Sequence, residues 1–409
     1  MTKRRGTRAT GRFTRKREAI IAASTDFINR DGVKGLTLSA AAAAVGLSTT
    51  SVTYYFRRKD DLAAACFLRG IEQLHEIATK AAAAPTPAER LHLLLELYLE
   101  RQRQAIAGEA PPLPLLNDIR ALSEEPRREV ADAFMKVFRT VRGIFESEEL
   151  AWLGRGRRTA RTHMLLEQLF WTSAWLAAYP AQDYGQVRER MFDILANGLA
   201  AESDVWAPKP LPQDARRRSD RQEMSRDTFL QAATRLINAR GYKGASVDKI
   251  SAELNVTKGS FYHHNDAKDD LVVACFERTF EVIRQAQTQA AALPGDQWTK
   301  LSSVAAALVE HQLSDDGPLM RTSALSAVPP GIRHDLVGQS NKVSEAFAAM
   351  ISAGIAEGSI RPVDPAIAAQ MLMSTLNAAA ELQYWVRGIT QKQSASVFVR
   401  PLLMGLFVR

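Results

Sequence analysis

Cysteine is scarce in this chain of 409 residues: Cys66 and Cys275 are the two it has. Two thiols cannot build a dense disulfide framework, so a reducing cytoplasm is the expected setting. No run of 18 apolar residues marks a membrane span. The N-terminal charges are not followed by an apolar stretch, which excludes a secretory signal. An Arg-rich, acid-free start also suits a mitochondrial transit peptide, but here it runs straight into a helix-forming segment. Alternating apolar patterns of strand type are missing, so the fold class is all-α. There is no Gly-rich phosphate loop and no nucleophile elbow. His163, His311 and His334 are isolated, with no pair at metal-ligand spacing. No enzyme activity, catalytic residue, metal site or cofactor is therefore expected. Acid is absent from the first 17 residues, which carry Lys3, Arg4, Arg5, Arg8, Arg12, Arg15, Lys16 and Arg17. That cluster alone equals the net charge of +8, and with a sequence pI of about 9.5 it points to nucleic acid as a partner.

What is present is a duplication. The segment from Gly32 to Phe67 recurs without a gap from Gly241 to Phe276, an offset of 209 residues. Twelve of the 36 positions are identical: Gly32, Lys34, Gly35, Ala43, Ser51, Lys59, Asp60, Asp61, Leu62, Ala65, Cys66 and Phe67. Unrelated segments would share roughly two, given ordinary residue usage. A period this long indicates two fused domains, not a solenoid. Hydrophobic content of 46% is enough for sizeable cores in both. Cys66 and Cys275 fall at equivalent positions, so they read either as two small buried residues or as a redox link between the halves.

Each copy encodes two short helices joined by a tight turn. In the first, Ile20, Ala23, Phe27 and Ile28 mark one face of a leading helix that ends at Asp31-Gly32. Thr37 caps an Ala-rich helix, Val45-Gly46-Leu47 turns the chain, and Ser48 caps a second helix from Thr49 to about Phe56. In the second copy Ser246 and Thr257 are the caps, and Asn255 replaces the turn glycine, a mild change because Asn tolerates the left-handed conformation. This is the helix-turn-helix signature, whose second helix enters the major groove.

Both copies resemble the DNA-binding domain of the TetR-type transcriptional regulators. The family pattern is a Thr-capped helix, a Gly turn, then Ser/Thr-x-Gly-x-aromatic-Tyr-His-Tyr-Phe-x-x-Lys-x-x-Leu. The second copy matches it through Thr257, Gly259, Phe261, Tyr262, His263, Lys268 and Leu271, and departs at His264 and Asn265. The first matches through Val52, Tyr55, Phe56, Lys59 and Leu62, and departs at Thr50 and Thr53. The segment from Gly354, GIAEGSIRPVDPAIAAQML, also resembles the join between the last long helices of that family. The resemblance implies two tandem units, each a headpiece with a helical body. The bodies would bind a small-molecule effector and dock through their last helices, residues 158–201 against 364–407, as an intrachain pseudo-dimer. Whether two chains pair further is left open.

The expected organisation follows. Residues 1–12 form a flexible basic arm, 13–58 the first headpiece and 59–202 the first body. The Pro- and Arg-rich stretch 203–222 is both linker and second basic arm, 223–267 the second headpiece and 268–409 the second body. Phosphate contacts are assigned to Thr37, Ser48, Tyr55 and Lys59, and to Ser246, Thr257, His264 and Lys268. Base reading falls to Thr49, Thr50, Thr53 and Tyr54, and to Lys258, Gly259, Tyr262 and His263, with Ser51 and Ser260 on the same helices. The exposed positions of the two reading helices differ almost throughout, so the pair is expected to address two unlike half-sites in double-stranded DNA. The function implied is a cytoplasmic, sequence-specific regulator, a repressor released by an effector. The competing reading is an architectural protein that coats any duplex, or one copy that only grips phosphate. Trp171, Trp175, Tyr384 and Trp385 are the aromatic candidates for an effector wall, against a core or interface role for the same stripe.

Overall fold

A computed structural model describes residues 3–202, 204–212, 221–241, 249, 251–252, 268–328 and 330–409. Among these every regular element is helical apart from one isolated bridge, Ala200 to Ile360. No described helix is long and apolar enough to cross a membrane. The chain forms two compact units: residues 1–80 with 97–140, and 81–96 with 141–409. This division does not follow the repeat, because the second unit joins the closing helices of the first half to all of the second half.

The first unit is built on α1 (Lys3–Gly35), which buries Ile20, Ile21 and Ile28. The helix starts at Lys3, so the stretch expected as a flexible arm continues its first turns, and it breaks where Gly32 takes φ 71°. Then come α2 (Leu38–Ala44), α3 (Thr49–Thr53), α4 (Lys59–Ala82), α5 (Pro87–Ile106) and α6 (Glu124–Arg142). Between α5 and α6 lies a 3₁₀ segment, Leu116–Ala121. Asn29 holds the approach to it from two sides: its Nδ2 donates to the Leu113 carbonyl at 2.9 Å and its Oδ1 accepts from Leu115 N at 2.8 Å.

The second unit contains α7 (Arg155–Trp175), α8 (Tyr184–Asn197), α9 (Arg221–Arg240), α10 (Lys268–Ala291), α11 (Gln297–Gln312) and α12 (Pro330–Glu357). It closes with α13 (Pro365–Ala378), α14 (Gln391–Phe398) and α15 (Arg400–Met404), the last two separated at Val399 because Pro401 cannot continue the helix. The repeat extends to its internal contacts. Cys66 Sγ donates to the Ile21 carbonyl and Cys275 Sγ to the Leu230 carbonyl, both pairs 45 residues apart. Asn238 repeats the Asn29 clamp, with Nδ2 to the Leu319 carbonyl at 2.9 Å and Oδ1 from Arg321 N at 3.0 Å.

Within this unit α7 runs antiparallel to α13. Trp171 Nε1 donates to Gln370 Oε1, Gln168 Nε2 to the Met371 carbonyl and Thr375 Oγ1, and His163 Nε2 lies 3.0 Å from the Ala378 carbonyl oxygen. The partner number falls as the α7 number rises, which fixes the direction. Beyond the helices, Gly198 and Gly405 meet back to back. They cap α8 and α15, lie 207 residues apart in sequence, and take φ 72° and φ 105°. Leu199 N donates to the Leu403 carbonyl at 2.7 Å, and Leu406 N to the Leu195 carbonyl at 2.8 Å. Arg361 binds the same corner, donating to the Gly198 carbonyl and to Asp193 Oδ2 at 2.6 and 2.8 Å.

The linker stretch also has fixed partners: Trp298 Nε1 donates to the Val205 carbonyl, Lys209 N to Ser303 Oγ and Lys209 Nζ to the Pro294 carbonyl. Three prolines in 208–212 leave that backbone few donors of its own, and Val205 and Lys209 make its contacts with α11 at Trp298 and Ser303.

Candidate nucleic-acid interface

The first headpiece is closed by its caps. Thr37 is extended at φ −131°, and its Oγ1 accepts from Ala40 N at 3.0 Å. The α2–α3 turn is made by Leu47 N and Val45 N donating to the Ala42 carbonyl, with Gly46 at φ 64°. A Cβ on Gly46 would meet nothing within 4 Å. The requirement there is conformational only. Ser48 Oγ accepts from Ser51 N at 3.2 Å and shares a 2.9 Å hydrogen bond with Ser51 Oγ. The cap hydroxyls are thus spent first on helix ends, and what they offer a phosphate is the remaining hydrogen-bonding capacity.

Burial sorts the second helix into two faces. Val52 is fully buried and Phe56 nearly so, together with Ala41 and Ala42 of α2. Thr49, Thr50 and Thr53 are exposed and Tyr54 is 76% exposed. Thr53 Oγ1 donates to the Thr50 carbonyl at 2.8 Å, so its hydroxyl is left as an acceptor for any further partner. The base-reading set assigned from sequence in this copy therefore lies on one solvent-facing side. Tyr55 is half-buried, and Lys59 opens α4 at the far end of the same turn.

Phe13 is not singled out by the sequence pattern. Its ring packs 4.7 Å from Tyr55 and 5.9 Å from Tyr54, and the two tyrosines meet edge to face at 5.4 Å. This cluster ties the start of α1 to the end of the reading helix and limits how Tyr54 can turn. Arg17 sits over Phe56 at 5.3 Å. Arg58 is engaged by Asp61 through Nη2 at 2.8 Å and through its main-chain N at 3.1 Å, and that carboxylate raises the Arg58 pKa. The signal for Phe13 is one aromatic residue in an otherwise basic stretch.

In the second copy Ser246, Thr257, Lys258, Gly259, Ser260, Tyr262, His263 and His264 lie outside the described residues, as does the side chain of Lys268.

A narrow cavity of about 30 Å³ lies in the second unit, walled mainly by Phe276, Phe280, Ile283, Leu319, Met320 and Leu376. Trp171 reaches it from the first half, and Thr279, Gln312, Thr322 and Asn377 supply polar groups. It has room for about two water molecules. Trp175, Tyr384 and Trp385 are not among its walls. Trp175 is buried edge-on against Tyr179, Trp385 stacks on His163 at 5.5 Å, and Tyr384 is 79% exposed. Of the four aromatic candidates, Trp171 lines this cavity. In the first unit a wider groove of about 410 Å³ runs between α1, α4 and α6, bordered by Arg17, Asp61, Arg69 and Glu129.

Two family models fall on this chain. Residues 229–275 match the bacterial regulatory proteins of the tetR family, and residues 294–387 match the tetracyclin repressor-like C-terminal domain. The second half of the chain thus carries matches to the DNA-binding and C-terminal domains of the tetR family of bacterial regulatory proteins. The chain is similar to the transposon Tn10 TetC protein of Escherichia coli, 32% identical over 99 residues, which are 24% of this chain and 48% of that protein. It is also similar to the HTH-type transcriptional regulator LmrA of Bacillus subtilis (strain 168), 39% identical over 62 residues, 15% of this chain and 33% of LmrA. The chain thus spans about half the length of one curated relative and a third of the other. The solved structure of the TetR family regulator PfmR from Thermus thermophilus is 21% identical, with a TM-score of 0.37, covering 44% of this chain and 98% of that one.

Proposed function

We propose that the chain is a transcriptional repressor that reads an asymmetric operator with two unlike headpieces carried on one polypeptide. The observation that carries this is the first headpiece itself. A capped two-helix unit holds Thr49, Thr50, Thr53 and Tyr54 on one exposed face, and the family model falls on the second copy of the same segment. Threonine offers a methyl for thymine or a single hydrogen bond, whereas Lys258 in the second copy suits guanine O6 and N7. Unlike faces imply unlike half-sites.

Pairing of the two halves within the chain is supported by the antiparallel α7–α13 contact and by the reciprocal hydrogen bonds around Gly198 and Gly405. Equivalent residues touching each other's surroundings is the pattern of an isologous dimer interface. Fusing the halves makes engagement of the second half-site intramolecular, at high effective concentration.

The cavity beside Trp171 is the place for an effector in the second body. At its present size an organic ligand must open it, and opening displaces the segment Leu319–Thr322 that Asn238 clamps to α9. Binding at the cavity and the placement of the second headpiece are then coupled, provided the effector binds the two states unequally.

The test is selection of bound duplexes from a random pool, followed by footprinting. One protected site with two different half-sites supports the proposal. Even protection of any duplex, whatever its sequence, supports the architectural reading instead.

A further inference from the structure

Arg161 lies on α7 and is 2% exposed. Its Nε donates to the Leu406 carbonyl at 2.8 Å and its guanidinium lies over Trp152 at 5.5 Å. Neither partner carries charge, and among the described residues it forms no ion pair. Its charged neighbours are also cations. Arg157 precedes it by one helical turn on the same face, and Arg400 opens α15, with its Nη2 donating to the Arg409 main-chain oxygen. Burial, then Arg400 and Arg157, push the Arg161 pKa down to about 9, which still leaves it charged at neutral pH. Burial, then Arg157, lowers that of Arg400.

A buried cation without a counter-charge is costly, and cations packed beside it add to the cost. Folding tolerates this where an anion supplies the missing charge. Guanidinium groups are the side chains best matched to the two-oxygen edge of a carboxylate or phosphate.

We propose that Arg157, Arg161 and Arg400 form an oxyanion-binding site between α7 and the chain's last helix, taking the carboxylate or phosphate group of a small ligand. The site is separate from the cavity at Trp171: none of its three arginines lines that cavity. It joins a helix of the first half to the final segment of the second. An anion bound there fastens the two halves, so its concentration tunes their association.

The experiment is thermal unfolding of the full chain at constant ionic strength, exchanging sodium chloride for sodium phosphate or sodium succinate. The expected result is a rise in Tm of about 2 °C or more at saturation. Larger stabilisation by phosphate than by succinate assigns the site to phosphate-bearing ligands, and the reverse assigns it to carboxylates. Arg157→Gln, at an exposed position, is expected to fold normally and to lose most of the rise. Arg161→Met removes the buried charge, so it is expected to unfold at a higher temperature than the parent protein in chloride and to show no anion effect. Equal Tm in all three salts overturns the proposal. The same rise in Arg157→Gln and Arg161→Met as in the parent protein overturns it too, because the anion then acts elsewhere.

Discussion

Replacing Gly198 by alanine is the sharpest perturbation of the contact between the two halves. Gly198 has φ 72° and ψ −160°, a combination open essentially to glycine alone. Forcing a residue with a Cβ into such a region costs about 1–3 kcal/mol. The added atom would also lie 2.4 Å from the Met404 carbonyl carbon and 2.5 Å from the Leu403 oxygen. Both are backbone atoms and cannot rotate away, so the corner must open, at a further cost of about 1–3 kcal/mol. The sum, roughly 2–6 kcal/mol, lowers Tm by about 5–15 °C for a unit of this size. Gly405→Ala meets the mirror situation, with the new Cβ 2.6 Å from the Ala196 carbonyl oxygen, and should behave alike. Both variants press on one contact, so the double variant is expected to cost less than the sum of the singles. Gly46→Ala is the control. Its φ is also positive but its Cβ faces open space, so only the conformational cost of about 1–2 kcal/mol applies. Circular dichroism melts of the four variants decide the matter. A Gly198→Ala melt within about 1 °C of the parent would refute close approach of the two corners, since a loss below about 0.5 kcal/mol is what an uninvolved surface site shows.

Other expectations can be checked separately. Asn238→Ala removes two hydrogen bonds that fix Leu319 and Arg321, costs about 2–3 kcal/mol and should increase proteolysis near α9; an unchanged cleavage rate contradicts the clamp. The Cys66 and Cys275 thiols are pushed up by burial to about 12 and about 11. A thiol reagent at pH 8 should therefore label neither until denaturant is added. Because these folded-state values exceed the ordinary 9.0, the stability tied to them is complete below pH 9 and is lost as pH climbs toward 11–12. Tyr54→Ala should weaken DNA binding, and Thr50→Ala should relax base preference at one half-site, as should Lys258→Ala at the other, each worth about 1–3 kcal/mol of discrimination. Equal loss of affinity across all sequences would make each of these a phosphate contact.

The first headpiece is legible because glycines, cap hydroxyls and the aromatic–Lys–Leu spacing are local signals, and the same signals recur in the sequence at one offset. The caps at Thr37 and Ser48 and the interruption at Pro401 follow directly from side-chain chemistry. The Asn clamp is equally local, since Ile28-Asn29 and Ile237-Asn238 keep the 209-residue offset, but its partners sit more than 80 residues away. Leu116–Ala121 and Thr322–Ala327 are 3₁₀ segments and not α-helices. Periodicity cannot separate those two over six residues. Tyr384 and Trp385 look alike in sequence, yet one is exposed and the other stacks on His163. Which side of a stripe faces a cavity depends on packing partners that no local pattern encodes. The buried arginine at 161 is illegible for the same reason: its acceptor is the carbonyl of Leu406.

The most direct measurement is the mass of the complex between the purified protein and its selected operator, by native mass spectrometry. One 45.1 kDa chain bound per duplex, protecting two different half-sites, is the expected result. Two chains on a symmetric palindrome, each using a single headpiece, would contradict the fused, two-headed reader.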